Sequence, residues 1–350
     1  MGKKDSALNI PENSSISMTL HSLCSLAEMT PTRGTGQVTW VPEKPQTLRN
    51  DLRLSSQMVL PVLGDRGVAK VIRHFERVRE AIQGIFPQWG IPIDQERFKS
   101  TDFLLRTANT FPASSGIASS ASSFAAMTLA MAGSLVRDPA QFEEALLNDP
   151  SLKRELAKIS RMGSGSSCRS FEGPWVLWQE EEARRLAAET MPEMAHFVIL
   201  VNTDPKKVSS SDAHQLIRTS PLWEGRPNRV EARIRKMTLA LEKGDLTTLA
   251  QIAWTEAWEM HSLFHTCSEP FSYWEPGTLD VLHWFSSWFK NSGTNLSSIP
   301  PIVTLDAGPN IHVIVEKSDQ EVWRNRLRER FAQSIILEDE QGFGAEIQYE

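Results

Sequence analysis

Cysteine is scarce: the 350-residue chain has three, Cys24, Cys168 and Cys267, far apart. That spacing excludes a disulfide framework and a CxxC metal pattern, and it fits a reducing cytosol. Long apolar runs are lacking as well. The longest, Phe124 to Val136, is broken by Thr, Gly and Ser and is too short to span a bilayer. No secretory apolar region follows the start. A surplus of positive charge is also missing. The net charge of −6 gives no general attraction to nucleic acid or an anionic membrane, so an anionic ligand needs a local basic site. There is no internal repeat and no low-complexity tract. The Gly-Lys-Ser/Thr ending of a Walker loop is absent. His261 and His265 have the i,i+4 spacing of a zinc pair, but Ser262 stands where the HExxH pattern has glutamate. A packing or polar role is therefore the expectation for both.

What is present is ordinary for a folded chain: 40% hydrophobic and 23% charged residues, with eleven tryptophans scattered as core and surface anchors. The length exceeds what one core holds, so two domains are expected, 1–188 and 189–350. Alternation predicts a strand within Asn13–Leu20, and a second extended segment lies around Gln57 to Leu63. Val68, Ile72, Phe75, Val78, Ile82 and Phe86 fall at helical spacing and predict an amphipathic helix that ends before Pro87. Helices are further expected at Phe124–Leu135, Pro139–Asn148, Ser151–Met162, Arg229–Lys243, Leu246–His265, Thr278–Lys290 and Gln320–Ala332. Strands are expected at Asp102–Thr107, Val176–Gln179, Phe197–Val201, Ile302–Leu305, His312–Glu316 and Ser334–Leu337. Gly244-Asp245 splits two helices, Val208–Asp212 starts another, and the charged stretch Glu180–Glu193 reads as the region between domains.

Three stretches carry chemistry. Asn109 to Ser123 is a small-residue loop between a buried strand and an apolar helix, an arrangement that offers unpaired N–H groups and a partial positive charge to phosphate. The same residues would also suit close helix packing. Ser160 to Trp178 alternates glycines and hydroxyls around Arg169. Glycine lets backbone N–H groups approach an oxyanion, serines add donors, and the arginine adds a permanently charged planar fork. A polar helix-to-strand loop is the plainer alternative. Asp306 sits at a Gly-Pro turn between two β-branched strands, where it could face a cleft; taken alone, an Asx-type turn accounts for it better.

Together the three stretches resemble the diphosphomevalonate decarboxylases of the GHMP kinase superfamily. Pro112-Ala113-Ser114-Ser115-Gly116-Ile117-Ala118-Ser119-Ser120-Ala121 is similar to the superfamily's Pro-x-x-x-Gly-Leu-x-Ser-Ser-Ala phosphate loop, with Ile for Leu. Gly163-Ser164-Gly165-Ser166-Ser167-Cys168-Arg169-Ser170 resembles the decarboxylases' Gly-Ser-Gly-Ser-Ala-Cys-Arg-Ser, with Ser167 for Ala. Asp306-Ala307-Gly308-Pro309-Asn310 matches their Asp-Ala-Gly-Pro-Asn, and Leu8–Ser17 and Met260–Pro276 also look like family segments.

The resemblance implies an α+β, two-domain GHMP-kinase-like fold. Its N-terminal domain would be ribosomal-protein-S5-like and its C-terminal domain ferredoxin-like. It implies a cytoplasmic homodimeric enzyme that uses ATP and Mg2+ to phosphorylate and decarboxylate 5-diphosphomevalonate to isopentenyl diphosphate. Asp306 would act on the 3-hydroxyl and Arg169 would grip the carboxylate. Lys3, Ser164 and Ser166 would join Arg169 in holding the substrate. Ser115, Gly116, Ala118, Ser119 and Ser120 would cradle the nucleotide, with Ser120 also reaching the metal. A kinase or decarboxylase acting on mevalonate or its monophosphate, and a binding-only homologue, are the alternatives.

One departure concerns the start. Family members begin with an Asn-containing strand ending Lys-Tyr-Trp-Gly-Lys, and Met1-Gly2-Lys3 looks like its last three residues, with Met for Trp. The expectation is that the first strand is missing, and that the N-myristoylation pattern of Met1–Ser6 is an accident of that start.

Overall fold

The fold is that of a computed structural model, which describes residues 2–5, 7–49, 63–112, 117, 119–204, 206–290 and 299–349, without the side chains of Ser211 and Lys290. The extended segment expected around Gln57 to Leu63 lies, apart from Leu63, outside the described residues.

Strand Thr101–Asn109 is the centre of the first three-stranded sheet. Alternate residues Phe103, Leu105 and Thr107 are buried. Ser25–Arg33 pairs with it antiparallel on one side and Val38–Pro42 parallel on the other. Pro31 is tolerated because its strand lies at an edge of that sheet, where one side of the backbone needs no ladder partner. Helices Asp65–Ile85, Ser119–Ser134 and Pro150–Gly163 pack together beside this sheet. The first of them buries Val71, His74, Phe75, Val78 and Ile82. Ile72, expected on that face, is 39% exposed. At 100° per residue it falls about 100° from the centre of the stripe, and Val71 takes the inward place.

The second sheet joins Ser15–Met18, Trp175–Gln179 and Glu182–Arg185, all antiparallel. This narrows the reading of 180–193 as a segment between domains to its second half. Its first half is the outer strand of a hairpin, whose charges face solvent while Ala183 is buried. Lys3–Asp5 pairs with Ile10–Pro11 in a separate two-stranded ribbon.

The C-terminal sheet is antiparallel throughout, in the order Ile302–Thr304, Ile311–Glu316, Met194–Leu200, Ile335–Glu340. Phe197, Ile199, Ile311 and Val313 point to one face, where helices Pro276–Lys290 and Gln320–Arg330 supply Val281, Phe285, Trp323 and Leu327. The other face meets the N-terminal half: Val198, Leu200 and Leu337 pack on Phe111 and Ile117. Strand Met194–Leu200 is thus buried on both sides, which explains its unbroken apolar run. Helices Arg226–Lys243 and Leu246–Thr266 are parted as expected, with Gly244 at φ 67° and Asp245 Oδ1 accepting from Thr248 N at 3.0 Å. Their residues Leu241, Leu249 and Ala253 pack on Trp175 and Leu177 of the second sheet.

Candidate active site

The helix after the small-residue loop begins at Ser119, five residues before the expected start, so Ser119 and Ser120 form its first turn. Asn109, at the end of the central strand, ties that turn down. Its Oδ1 accepts from Ser25 Oγ at 2.6 Å and from Ser123 Oγ at 3.3 Å, and the Ser25 and Ser122 hydroxyls meet at 2.7 Å. Ser120 is left exposed at the helix N-terminus, where N–H groups and the helix dipole favour an anion. Ser115, Gly116 and Ala118 lie outside the described residues.

The glycine–serine stretch is a 3₁₀ turn, Gly165–Phe171, rather than an open loop. Two buried hydroxyls hold it. Ser160 Oγ donates to Ser167 Oγ at 2.6 Å, and Ser167 Oγ donates to Ser164 O at 2.7 Å. The serine that stands in place of the family's alanine therefore has a structural role here. Cys168 is buried, and that burial pushes its thiol up to about 11, so it is not a nucleophile at neutral pH. Arg169 leaves the turn with Nη1 3.3 Å from Ser15 Oγ and its guanidinium 5.9 Å from the Trp178 ring centroid. Ser166 is half-buried on the same turn. The two serine stretches touch: Ser120 Oγ and Ser164 Oγ are 3.2 Å apart.

Lys3 joins this group from the N-terminal ribbon. Its Nζ donates to Asn9 Oδ1 at 2.7 Å, and Asn9 Nδ2 donates to Arg161 O at 2.9 Å, at the end of the helix that leads into the turn. Burial lowers the Lys3 ammonium below its ordinary value. Lys70, on helix Asp65–Ile85, is lowered first by burial and then by repulsion from Lys3, Arg77 and Arg73, which marks a concentration of positive charge. Arg77 Nη1 donates to Met162 O at 3.1 Å beside the turn. The sequence reading overlooked these three cations because each passed as the solvated face of an amphipathic helix.

Asp306 is exposed between the buried Leu305 and Ala307. Its backbone carbonyl accepts from Gly308 N at 2.8 Å, and His261 Nε2 lies 3.2 Å from it. His261 stacks on Trp274, with centroids 4.9 Å apart. Asn310 ties the turn to the neighbouring strand end: its Oδ1 accepts from Val201 N at 2.7 Å and its Nδ2 donates to Asn202 O at 2.9 Å. Past that strand end comes Lys206, a second omission from the sequence reading. Burial lowers its ammonium while the Asp306 carboxylate opposes the shift, so the two charges sense each other. The adjacent Lys206-Lys207 pair before the serine run was the available signal.

Asp306 and Lys206 come from the C-terminal half of the chain, and Lys3, Ser120 and Arg169 from the N-terminal half. Helix Ser210–Leu216 links them: Ala213 packs with Ala307, while His214 Nδ1 accepts from Gly2 N at 3.0 Å, next to Lys3. Among the described residues, neither Arg169 nor Asp306 has an ion-pair partner, and no group of three His, Cys, Asp or Glu could hold a metal unaided. A cavity of about 270 Å³ lies elsewhere, behind the Gly165–Phe171 turn, lined by Leu129, Leu146, Phe171 and Ile347.

These features agree with known proteins. The profile of the diphosphomevalonate decarboxylase-like N-terminal domain matches residues 1–189, and that of the mevalonate 5-diphosphate decarboxylase C-terminal domain matches residues 196–345. The diphosphomevalonate decarboxylase of Ganoderma lucidum is 28% identical over 327 residues, 90% of this chain and 74% of its own. The mevalonate diphosphate decarboxylase structure from Legionella pneumophila is 33% identical with a TM-score of 0.71, over 96% of this chain and 95% of its own. A further structure, MDDEF in complex with MVAPP, AMPPCP and magnesium, is 25% identical with a TM-score of 0.66, over 98% of this chain and 92% of its own. The α+β two-domain fold is therefore the GHMP-kinase fold of these enzymes, and the chain belongs to the diphosphomevalonate decarboxylase family.

Proposed function

We propose that the chain catalyses the ATP-dependent decarboxylation of (R)-5-diphosphomevalonate to isopentenyl diphosphate, releasing ADP, phosphate and CO2. The observation that carries this reading is the 3.2 Å contact between Ser120 and Ser164. It joins a helix N-terminus suited to an anion to a turn bearing an arginine with no ion-pair partner among the described residues, as transfer between a nucleotide and an anionic substrate requires. Family membership supplies the substrate class.

ATP and Mg2+ fit the residues present. Ser119 and Ser120 open a sixteen-residue helix with hydroxyl and N–H donors suited to phosphate oxygens, and the Ser120 hydroxyl is the kind of hard oxygen donor magnesium takes. When bound, the magnesium nucleotide supplies the phosphoryl group. Lys3, Ser164 and Ser166 hold the substrate's diphosphate. Arg169 pairs with the carboxylate through its fork and orients it for departure as CO2. The Asp306 carboxylate accepts the proton of the 3-hydroxyl, or orients that hydroxyl by a hydrogen bond. Lys206 steadies the charge beside Asp306, and Lys70, Arg73 and Arg77 extend the positive field around Lys3.

The reading also includes a homodimer, a cytoplasmic setting and a domain boundary between 188 and 189. The three free cysteines support the second, together with the fact that no described helix is long and apolar enough to cross a membrane. The hairpin strand Glu182–Arg185, which belongs to the second sheet, supports the third. The test is stoichiometry. Diphosphomevalonate, ATP and magnesium should yield CO2 and ADP in equal amounts. ADP without CO2 would make the protein a kinase, and neither product would make it a binding-only homologue.

A further inference from the structure

We propose that the segment after the last strand, residues 341–349, is a positioning element for the substrate turn, acting on Arg169 through Phe171. The inference rests on the reading of Arg169 as a substrate ligand.

On leaving strand Ile335–Glu340, the chain crosses from the C-terminal sheet to the N-terminal half. Gly342 N donates to Thr19 O at 2.7 Å, and Thr19 Oγ1 donates in turn to Glu172 O at 2.7 Å. The segment then passes directly over the end of the Gly165–Phe171 turn. At Gly344 the backbone has φ +106°, and an added Cβ would lie 2.5 Å from Phe171 O. At Gly173 an added Cβ would lie 2.3 Å from Gly342 O. The two strands of chain are in backbone contact from Phe171 to Gly173, and the Phe171 ring is itself buried. Beyond the crossing, Ala345 and Ile347 pack on the N-terminal core, and Tyr349 Oη lies 3.5 Å from Gly133 O.

The turn therefore has two anchors. The Ser160 and Ser167 hydroxyls, running to the Ser164 carbonyl, fix its first residues, and the crossing segment fixes its last. Arg169 lies two residues before Phe171, so displacing Phe171 moves the fork. Ser120 is remote from the crossing, because Gly133 is thirteen residues along its helix, about 20 Å away at 1.5 Å per residue, and Ser164, which Ser120 touches, belongs to the end of the turn that the buried hydroxyls hold. The segment should thus govern the substrate and leave the nucleotide alone. The cavity of about 270 Å³, bounded by Phe171, Ala345 and Ile347, gives the segment room to shift without unfolding.

Gly344→Ala and Ile347→Ala in the full chain test this. Ordinary contact begins at 3.4 Å, so the new Cβ at 344 must displace Phe171 or the segment by about 0.9 Å. A misplacement of that size costs a positioned group about 10–100-fold. Gly344→Ala should weaken diphosphomevalonate binding and lower kcat/KM by that factor, with ATP affinity within about twofold of the parent. Ile347→Ala, which only loosens the anchor, should move the same quantities in the same direction by a few-fold. Amide exchange at 165–171 should accelerate in both variants, while that at 119–124 stays as in the parent. A lowered melting temperature with unchanged substrate affinity and unchanged exchange at 165–171 would overturn the inference. Should Gly344→Ala fail to fold, an Ile347→Ala variant with parental substrate affinity and exchange would overturn it as well. A parent that does not bind diphosphomevalonate refutes the proposed function instead, and the exchange comparison still decides the positioning claim.

Discussion

Ser167→Ala is a sharp test of how the substrate turn is built. The Ser167 hydroxyl donates to Ser164 O and accepts from Ser160 Oγ, and both serines are fully buried. Removing it loses one net hydrogen bond, about 1 kcal/mol, and strands the Ser160 donor at about 1–3 kcal/mol more. The low end applies if that hydroxyl turns back to a helix carbonyl. Ser160→Ala is milder, near 1 kcal/mol by the same accounting, because Ser167 keeps its carbonyl acceptor. In the double variant no hydroxyl is stranded, and Ser164 O still accepts from Ser167 N at 2.9 Å. Its cost should return to about 1 kcal/mol, against about 3–5 if the single losses added. Denaturant unfolding of the four proteins reads this directly, and melting temperatures should follow at about 2–4 °C per kcal/mol. A double variant as unstable as the sum of the singles would show that the two hydroxyls do not form one unit.

Asp306→Asn should lower turnover by about 10²–10⁴-fold while preserving ligand affinity, since it keeps shape and removes the charge; turnover within a few-fold of the parent would make Asp306 a structural turn residue. Arg169→Lys should be nearly as damaging to kcat/KM as Arg169→Ala, because an ammonium cannot reproduce the bidentate fork; rescue by lysine would show that charge alone suffices. Burial holds His74, His196, His261 and His312 below the ordinary value of 6.5, with His74 and His261 near 3. The unfolded chain therefore binds more protons than the folded one as pH falls below 6.5. Stability present at neutral pH should decline through that window, by up to about 1.4 kcal/mol per pH unit for each histidine. Unfolding free energy that stays level between pH 7 and 5.5 would contradict the burial of these rings.

The candidate site was legible where chemistry demands unusual residue runs. The serine–glycine stretches and Asp306 stand out because close approach to anions needs small residues and local donors, whatever the tertiary context. The helices were legible for a different reason, since burying one face imposes a period on the sequence. Ser25–Arg33 and Val38–Pro42 left weaker traces. They flank the central strand, and Pro31 argues against a strand unless its position at a sheet edge is known. Glu182–Arg185 was masked by its solvent-facing charges. Lys70, Arg73 and Arg77 sit on a helix, and only its packing on helix Pro150–Gly163, with Arg77 on Met162 O, brings them to the turn.

The apolar seam between the two halves, with Val198 and Leu200 on Phe111 and Ile117 and Trp175 on Leu249, bears on recombination between related genes. A crossover near residue 190 looks safe on the chain, since no helix or strand is cut. It would nevertheless pair one parent's Phe111 and Ile117 with another parent's strand Met194–Leu200. Ile117 lies within the loop proposed to hold phosphate, so on that reading a mismatched seam would be felt as poor nucleotide binding as well as lost stability. Chimeras that inherit residues 111–117, 175–177, 194–200 and 241–253 as one block should outperform those that split it at the domain boundary.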